Sequence, residues 1–483
     1  MGASGFDELL RLRPGVYVVT AEDGALHLVC WPQSLPLGRP TPGDRTVLDR
    51  LAQAPCTPAV LEEAWRAAPA PDGGAGEGAG ALLERLRAGG WLIRTTLHDG
   101  RPLYTVHPLA EPPPDAGPPA PGAVLSRFAV LRRDGADLVL ESPRAVGHVR
   151  VHEPALLAVL GGGATGEARL EGGAADDSAA GRLRRDLHRW GFLAADAEAE
   201  HTDLPQAQWS PHELWFHARS RRSRHAAATE DGLPVVGWAR GRFDPLPGRR
   251  PPYPGPPVAL ARPDLDLLRR TDPTFTAVLE GRRSLRAHDD ARPVTIEQLG
   301  EFLYRCAAVR AEGSQEGLEV SRRPYPSGGA LHEMEIYLAV RHAAGLSPGL
   351  YHYDAYGHEL RRVPGPSGPV RRMLSLAARA AKATVNADPL VRPEPPQVLI
   401  VLAARFGRLM WKYQAMAYAL VLKHVGVMFE VMYAVATAMG LAPCALGTGD
   451  ADAFALATGA DPLEESSVGE FMLGSRRPED RGA

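Results

Sequence analysis

The sequence predicts an α+β protein in which two small hairpin-and-helix units precede a larger domain. Three observations carry this reading. Within the first 200 residues one plan occurs twice: strand-like runs about a tight turn, then helical patterns, then an exit through Gly-aromatic-Leu. Between residues 323 and 363 a Gly-rich loop feeds strand-like runs rich in Tyr, Leu and Val. From Ala415 to Met439 nearly every side chain is apolar, with Lys423, His424, Glu430 and Thr437 as the interruptions. A helix apolar on almost all sides belongs in a large core or a subunit interface.

Composition narrows the classes. The chain has 483 residues, with 54 Lys and Arg against 57 Asp and Glu, a formal net charge of -3. That balance gives no electrostatic case for nucleic acid or an anionic membrane. The four cysteines, Cys30, Cys56, Cys306 and Cys444, show no CxxC or metal-type spacing, which argues against a disulfide framework and a metal site. The run 415–439 is long enough to span a bilayer, but Lys423, His424 and Glu430 fall in its middle, where a Lys costs about 2.5 to 3.5 kcal/mol on insertion scales. The N-terminal residues lack an apolar signal region, and Phe6 stands where a myristoylation signal needs Ser or Thr. A cytoplasmic protein without a membrane segment is the expectation.

In chain order, the first unit spans 1–110. It opens with a hairpin about Asp23-Gly24, followed by helices from Pro42 to Leu51, from Thr57 to Ala68 and across Leu82 to Arg94. A Pro-rich linker, 111–122, leads to the second unit, 123–200, whose hairpin turns at Asp134-Gly135. Leu86, Gly90, Trp91 and Leu92 align with Leu187, Gly191, Phe192 and Leu193. This outline is that of a tandem pair of winged-helix-like units. Residues 201–263 hold a helix started by Ser210 and Pro211, a basic run from Arg219 to Arg224, and a Pro-, Gly- and Arg-dense connector expected to wrap or tether. The catalytic domain is placed at 264–483.

Three features of that domain suit an anionic, planar cofactor. GRRSLRAH offers the forked donors of Arg282, Arg283 and Arg286 with the hydroxyl of Ser284. In RPYPSGGALHEMEIYLAV the loop Pro326, Ser327, Gly328 and Gly329 allows close backbone approach ahead of a strand from Glu335 to Val340. The strand continues to a hairpin whose Tyr351 and Tyr353 are expected in the core. After the long helix and its stop at Gly440 come LAPCALGTGD, with Gly447 and Gly449 about Thr448, and then LGSRR with Gly474 and Arg476. No dinucleotide or P-loop glycine pattern stands in a strand-to-helix context of this domain, and there is no HExxH or GxSxG.

Taken in order, RRSxR, PSGGxxH, the WKYQ segment, ATAMGLAPCALG and LGxxR resemble the flavin-dependent nitroreductase family over about the last 220 residues. More narrowly they resemble its azoline-dehydrogenase branch, the SagB-type thiazole/oxazole-forming peptide oxidases. The resemblance implies an FMN-binding α+β homodimer. Arg282, Arg283, Ser284 and Arg286 would hold the FMN phosphate and the pyrimidine side of the ring, and Arg476 would reach phosphate. Pro326, Ser327 and Gly328 would touch the isoalloxazine from the neighbouring protomer, with Gly447 and Gly449 facing flavin N5. Lys412 and Tyr413 match the branch's catalytic pair. In related oxidases the N-terminal region contains units like those that recognise leader peptides, so a precursor peptide and a partner cyclodehydratase are the implied partners. Thr448 and the Pro- and Arg-rich connector depart from the pattern, and His332 and Cys444 are as compatible with structural roles as with chemistry.

The reaction so implied is oxidation of a thiazoline or oxazoline to the azole, with Lys412 or Tyr413 as the base for the Cα proton and the cofactor as hydride acceptor. The positive end of the long helix would favour a neutral Lys412. Two other functions compete: an NAD(P)H-dependent nitro- or flavin reductase, and a non-catalytic scaffold that presents a peptide to a cyclodehydratase.

Overall fold

The computed structural model describes residues 5–22, 24–30, 33–69, 78–114, 117–160, 178–221, 238–382 and 394–480. Asp23 of the first expected turn, the end of the basic run at 222–224 and the first connector residues, 235–237, lie outside them. The chain divides into two compact units, Met1–Pro234 and Val235–Ala483.

Capping chemistry sets the N-terminal elements. Strands β1 (Phe6–Leu12), β2 (Tyr17–Thr20), β3 (Leu26–Cys30) and β4 (Gln33–Gly38) precede helices α1 (Pro42–Gln53), α2 (Pro58–Ala67) and α3 (Ala79–Ala88). Thr41 starts α1 with a capping box shared with Asp44, and Thr57 caps α2, each just ahead of a Pro. Next come β5 (Leu92–His98), β6 (Arg101–Pro108), β7 (Val124–Leu125), β8 (Val130–Asp134), β9 (Asp137–Glu141), β10 (Gly147–Val151), α4 (Ala179–Arg189) and β11 (Leu193–Ala194). The aligned exits have one physical basis. Gly90 and Gly191 both take positive φ, and the N–H groups of Trp91 and Phe192 donate to the carbonyls of Leu86 and Leu187, so α3 and α4 end in the same Schellman turn.

Strands from both halves join one antiparallel sheet, ordered β1-β5-β6-β10-β9-β8, with Val149 opposite Val106 where the two halves meet. Each half keeps its own apolar core, one around Leu10, Leu48 and Leu86, the other around Tyr104, Leu187 and Phe192. The short helices α5 (Ala199–Thr202) and α6 (Leu204–Ala207) follow, then α7 (Pro211–Ser220), which begins in a capping box at Ser210 as its Ser-Pro start predicts.

The second unit contains, in order, β12 (Val258–Ala259), α8 (Leu265–Thr271), α9 (Phe275–Gly281), α10 (Ile296–Ala307), β13 (Ala311–Gln315), β14 (Leu318–Arg322), β15 (Met334–Val340), β16 (Gly349–Asp354) and β17 (Glu359–Arg362). Then come α11 (Ser367–Lys382), β18 (Val398–Arg405), α12 (Phe406–Met410), α13 (Ala417–Ala438), β19 (Leu441–Leu446), α14 (Ala451–Thr458) and β20 (Glu465–Ser475). Seven strands form an antiparallel sheet, β12-β17-β16-β15-β18-β20-β19. Side chains alternate across it. Ile336, Leu338, Ile400 and Leu402 meet α10 and α13, whereas Tyr337, Ala339, Leu399 and Val401 meet α11 and α14. The central strand β18 is buried at every residue.

The long helix is α13, two residues shorter at its start than the apolar run suggests, and it stops at Gly440 with φ +65°. By length and composition it could cross a membrane. Here it packs Val421, His424, Val425, Met428, Met432 and Ala436 into the core, and leaves Tyr418 and Leu422 each 40% exposed. The connector does not simply tether. Arg249 Nε donates to Asp354 at 3.0 Å, Arg250 Nε to Glu465 at 2.9 Å, and β12 adds an edge strand to the sheet by pairing with β17.

Candidate functional site

Lys412 and Tyr413 occupy the turn between α12 and α13, where their N–H groups donate back to the carbonyl of Leu409. They face the Ser327–Gly329 turn. A Cβ placed on Gly329 would lie 3.3 Å from the Tyr413 hydroxyl and 3.6 Å from Lys412 Nζ, and one on Gly328 would lie 3.5 Å from the Tyr413 ring. Gly329 also has φ +62°, so glycine suits both the backbone and the space. Lys412 Nζ stands 4.0 Å from Glu316, which sits with Gly317 at the β13–β14 turn. Burial, and then Glu316, push the Tyr413 phenol above its ordinary value, so it keeps its proton at neutral pH. Because α13 begins at Ala417, Lys412 lies beyond the first turn over which a helix end is felt, and the expected helix-field effect does not reach it.

A buried hydrogen-bond chain fixes the glycine turn. The Gly328 N–H donates to His424 Nε2 at 3.0 Å, which leaves the imidazole proton on Nδ1 to donate to Glu333 Oε1 at 2.7 Å. Ser327 Oγ donates to Glu333 Oε2 at 3.1 Å and accepts from the His332 N–H at 3.0 Å. Glu333 is 1% exposed, so its carboxylate is held by these neighbours rather than by water. His332 packs edge-on against Tyr325, and burial lowers its pKa to about 3, which keeps it uncharged at neutral pH. Pro326, at the start of the turn, is exposed.

The arginine segment lies elsewhere on α13. It follows α9 and runs along the edge strand β19: the Leu285 N–H donates to the Pro443 carbonyl at 2.8 Å, and Ser284 Oγ and Tyr433 Oη are 2.8 Å apart. Tyr433 Oη also accepts from the Ala445 N–H at 2.8 Å, and Arg282 lies over the Tyr433 ring. Arg283 and Arg286 are exposed. Among the described residues, Arg282, Arg283 and Arg286 form no ion pair. Gly447, Thr448 and Gly449 are exposed in the loop after β19, with open space where a Gly447 Cβ would be. A Cβ on Gly449 would overlap the Glu470 carboxyl at 1.8 Å, and one on Gly474 would overlap the His288 ring at 2.4 Å. The two motifs that carry these glycines are therefore close-packing motifs. Burial raises Glu470 to about 7. Cys444 is buried beside this segment and its thiol is pushed up by burial, the state of a small core residue. Arg476 Nε donates to the Leu441 carbonyl at 2.9 Å.

Within one chain the predicted residues thus form two groups. Lys412, Tyr413, Ser327 and Gly328 gather around His424, whereas Arg282, Ser284 and the β19 loop gather around Tyr433, about 13 Å further along α13 at 1.5 Å per residue. Sequence reading missed Glu333, Tyr433 and Glu470, and saw His424 only as an interruption of an apolar run. A polar residue inside an otherwise apolar helix was the available signal for His424. Its partner is 91 positions away, so pairing could not be read.

Comparison with known proteins places two parts of the chain. Residues 279–475 match the Nitroreductase family model, and residues 123–226 match the model described as Cyanobactin oxidase ThcOx. The Nitroreductase match falls within the second compact unit. "Putative nitroreductase MJ1384" of Methanocaldococcus jannaschii is 26% identical over 193 residues, 40% of this chain and 85% of that protein. Trifolitoxin-processing protein TfxB of Rhizobium leguminosarum bv. trifolii is 30% identical over 94 residues, 19% of this chain, which spans 23% of TfxB. Among solved structures, the E. coli microcin synthetase McbBCD complex with truncated pro-MccB17 bound contains a chain at 20% identity and TM-score 0.33, covering 50% of this chain and 90% of that one. A Bacteroides fragilis nitroreductase with bound FMN matches at 15% identity and TM-score 0.26, covering 43% and 89%.

Proposed function

We propose that the protein is an FMN-dependent dehydrogenase that oxidises thiazoline or oxazoline rings in a ribosomally made precursor peptide. The observation that carries the reading is the placement of Lys412 and Tyr413 against the Ser327–Gly329 turn inside a nitroreductase-type domain. The neighbouring match to a cyanobactin oxidase and the likeness to TfxB support a peptide substrate.

The residues present suit FMN. Three guanidiniums that form no ion pair among the described residues offer an anion site, and the open space beside the exposed Gly447 allows a flat ring to approach. Arg282, Arg283, Ser284, Arg286 and Arg476 would hold the cofactor. Bound FMN supplies the acceptor for the hydride that leaves Cβ. Lys412 is placed to take the Cα proton, while Tyr413, kept protonated by burial, orients the ring as a hydrogen-bond donor. In the N-terminal half, the outer strand β8 is exposed at every residue, an edge to which a leader peptide can add a strand. A cyclodehydratase would supply the azoline.

Mass spectrometry of an azoline peptide incubated with the FMN-loaded protein, without NAD(P)H, tests the reading. Loss of two hydrogens per heterocycle is expected. An unchanged peptide, together with NAD(P)H-driven flavin or nitro reduction, would replace it with the general reductase suggested by the likeness to MJ1384. An unchanged peptide that binds tightly to a protein lacking FMN would favour the scaffold.

A further inference from the structure

The connector that the sequence leaves without a role returns to the Lys412–Tyr413 turn. Trp238 Nε1 donates to the Met410 carbonyl at 2.6 Å, and in the opposite direction Trp411 Nε1 donates to the Phe243 carbonyl at 2.9 Å. Two residues on from α12's start, Arg408 Nη1 donates to the Leu246 carbonyl at 2.7 Å. The contact is close along its length: a Cβ on Gly407 would fall 2.7 Å from Leu246, and the Gly248 N–H donates to Glu319 at 2.6 Å. Three bonds between the connector and Arg408–Trp411, one to the Met410 carbonyl and two from the Arg408 and Trp411 side chains, leave little freedom for the two residues that follow.

Arg408 is the hub of this arrangement. It is 2% exposed, and no ion pair is recorded for it among the described residues. Its guanidinium donates to three carbonyls: Leu246 in the connector, Glu319 in β14 at 2.5 Å, and Leu331, just past the glycine turn, at 2.8 Å. A buried cation without a counter-charge is a costly way to join loops, because carbonyl dipoles must replace both water and a carboxylate. The three segments it joins are the connector, the hairpin that presents Glu316 to Lys412, and the turn that faces Tyr413. One side chain therefore ties together three of the segments around the Lys412–Tyr413 turn.

We propose that the segment Trp238–Gly248 is a positioning strap for Lys412 and Tyr413, locked through Arg408. The proposal rests on the reading of these two residues as the proton-handling pair. Trp238, Trp411 and Arg408 are positioning residues: they hold the segment 408–411 that leads into Lys412 and Tyr413, and need not touch the substrate.

The test uses the full-length, FMN-loaded protein. Trp238→Phe combined with Trp411→Phe removes both indole donors, keeps the aromatic rings and leaves the buried Arg408 in place, so folding is preserved. Hydrogen exchange at the amides of 411–413 should quicken about tenfold or more, with the rest of the catalytic unit unchanged. The rate of azole formation should fall about tenfold at saturating peptide with KM and FMN affinity unaltered. In a Lys412→Ala background the same pair should cost no further rate, because a strap that works through Lys412 has nothing left to position. Unchanged exchange at 411–413 overturns the strap, and so does faster exchange with an unaltered rate or a rate loss that adds fully to that of Lys412→Ala. Should the wild-type protein fail to oxidise azolines, the catalytic reading falls by itself, and the exchange measurement still decides whether the strap holds the turn.

Discussion

Lys412 is only 18% exposed at its side chain, between a tryptophan and an apolar helix, a place where an ammonium or phenol without a partner costs several kcal/mol. The Glu316 carboxylate lies 4.0 Å away, longer than a hydrogen bond. Core filling does not account for that choice, and the proposed function gives it a reason. Lys412→Ala and Tyr413→Phe should therefore each leave FMN content unchanged while lowering azole formation by on the order of 10² to 10⁴, the range for a general acid or base. Single-turnover measurement, with the chemical step limiting, is the check. If both variants react at the wild-type rate, the pair has no part in the chemistry. Its neighbour His424 illustrates a different principle: with Nε2 accepting from Gly328 and Nδ1 donating to Glu333, both ring nitrogens are used, and the residue serves the loop rather than a reaction.

Elements differ in how far they were legible. The turn at Asp134-Gly135, the starts of α1 and α2, the Ser-Pro start of α7, the paired exits and, to within two residues, the extent of α13 follow from chemistry within a few residues, and the sequence pattern finds them; the helical pattern read on to Arg94 instead ends at Ala88, with β5 from Leu92. The joining of β6 to β10, the docking of the connector, and the His424–Glu333 pairing depend on contacts between distant segments, which no local pattern encodes. The loop after β19 falls between these cases: its glycines were legible, and the reason for one of them was not. Gly449 is pressed on the carboxyl of Glu470, a residue of β20 that burial raises from its ordinary 4.5 to about 7, with Asp450 acting in the same direction. A carboxyl whose folded value is raised binds its proton more tightly in the folded state. Its contribution to stability is full below about 4.5 and is lost as pH rises through about 7. Glu470→Gln should remove this loss. At pH 8 the variant should be more stable than wild type by on the order of 1–3 kcal/mol, with the difference vanishing toward pH 4. Thermal melts of both proteins across that range give the answer, and an equal pH dependence would show that Glu470 does not titrate in this window.

At the scale of the whole molecule, α13 and the division of the candidate residues point to one arrangement. The helix is apolar nearly throughout, yet one face, with Tyr418, Leu422 and Gly426 and bordered by the exposed Lys423 and Glu430, is exposed in the single chain. The Lys412–Tyr413 group and the arginine group gather at separate places along it, about 13 Å apart by helical rise. A second copy laid against this face would cover Tyr418 and Leu422 and would let residues of two chains build each site, in keeping with the shared FMN site that the family resemblance implies. The protein is therefore expected to be a homodimer whose FMN content depends on association. Leu422→Glu places a charge in this face at a side chain already 40% exposed in the monomer, so the fold of the single chain tolerates it while the association does not. Light scattering should show the wild type as a dimer and Leu422→Glu as a monomer, with FMN absorbance lost in parallel and circular dichroism unchanged. A wild-type monomer with full FMN occupancy would refute the shared site, because each cofactor would then have to be held by the residues of one chain.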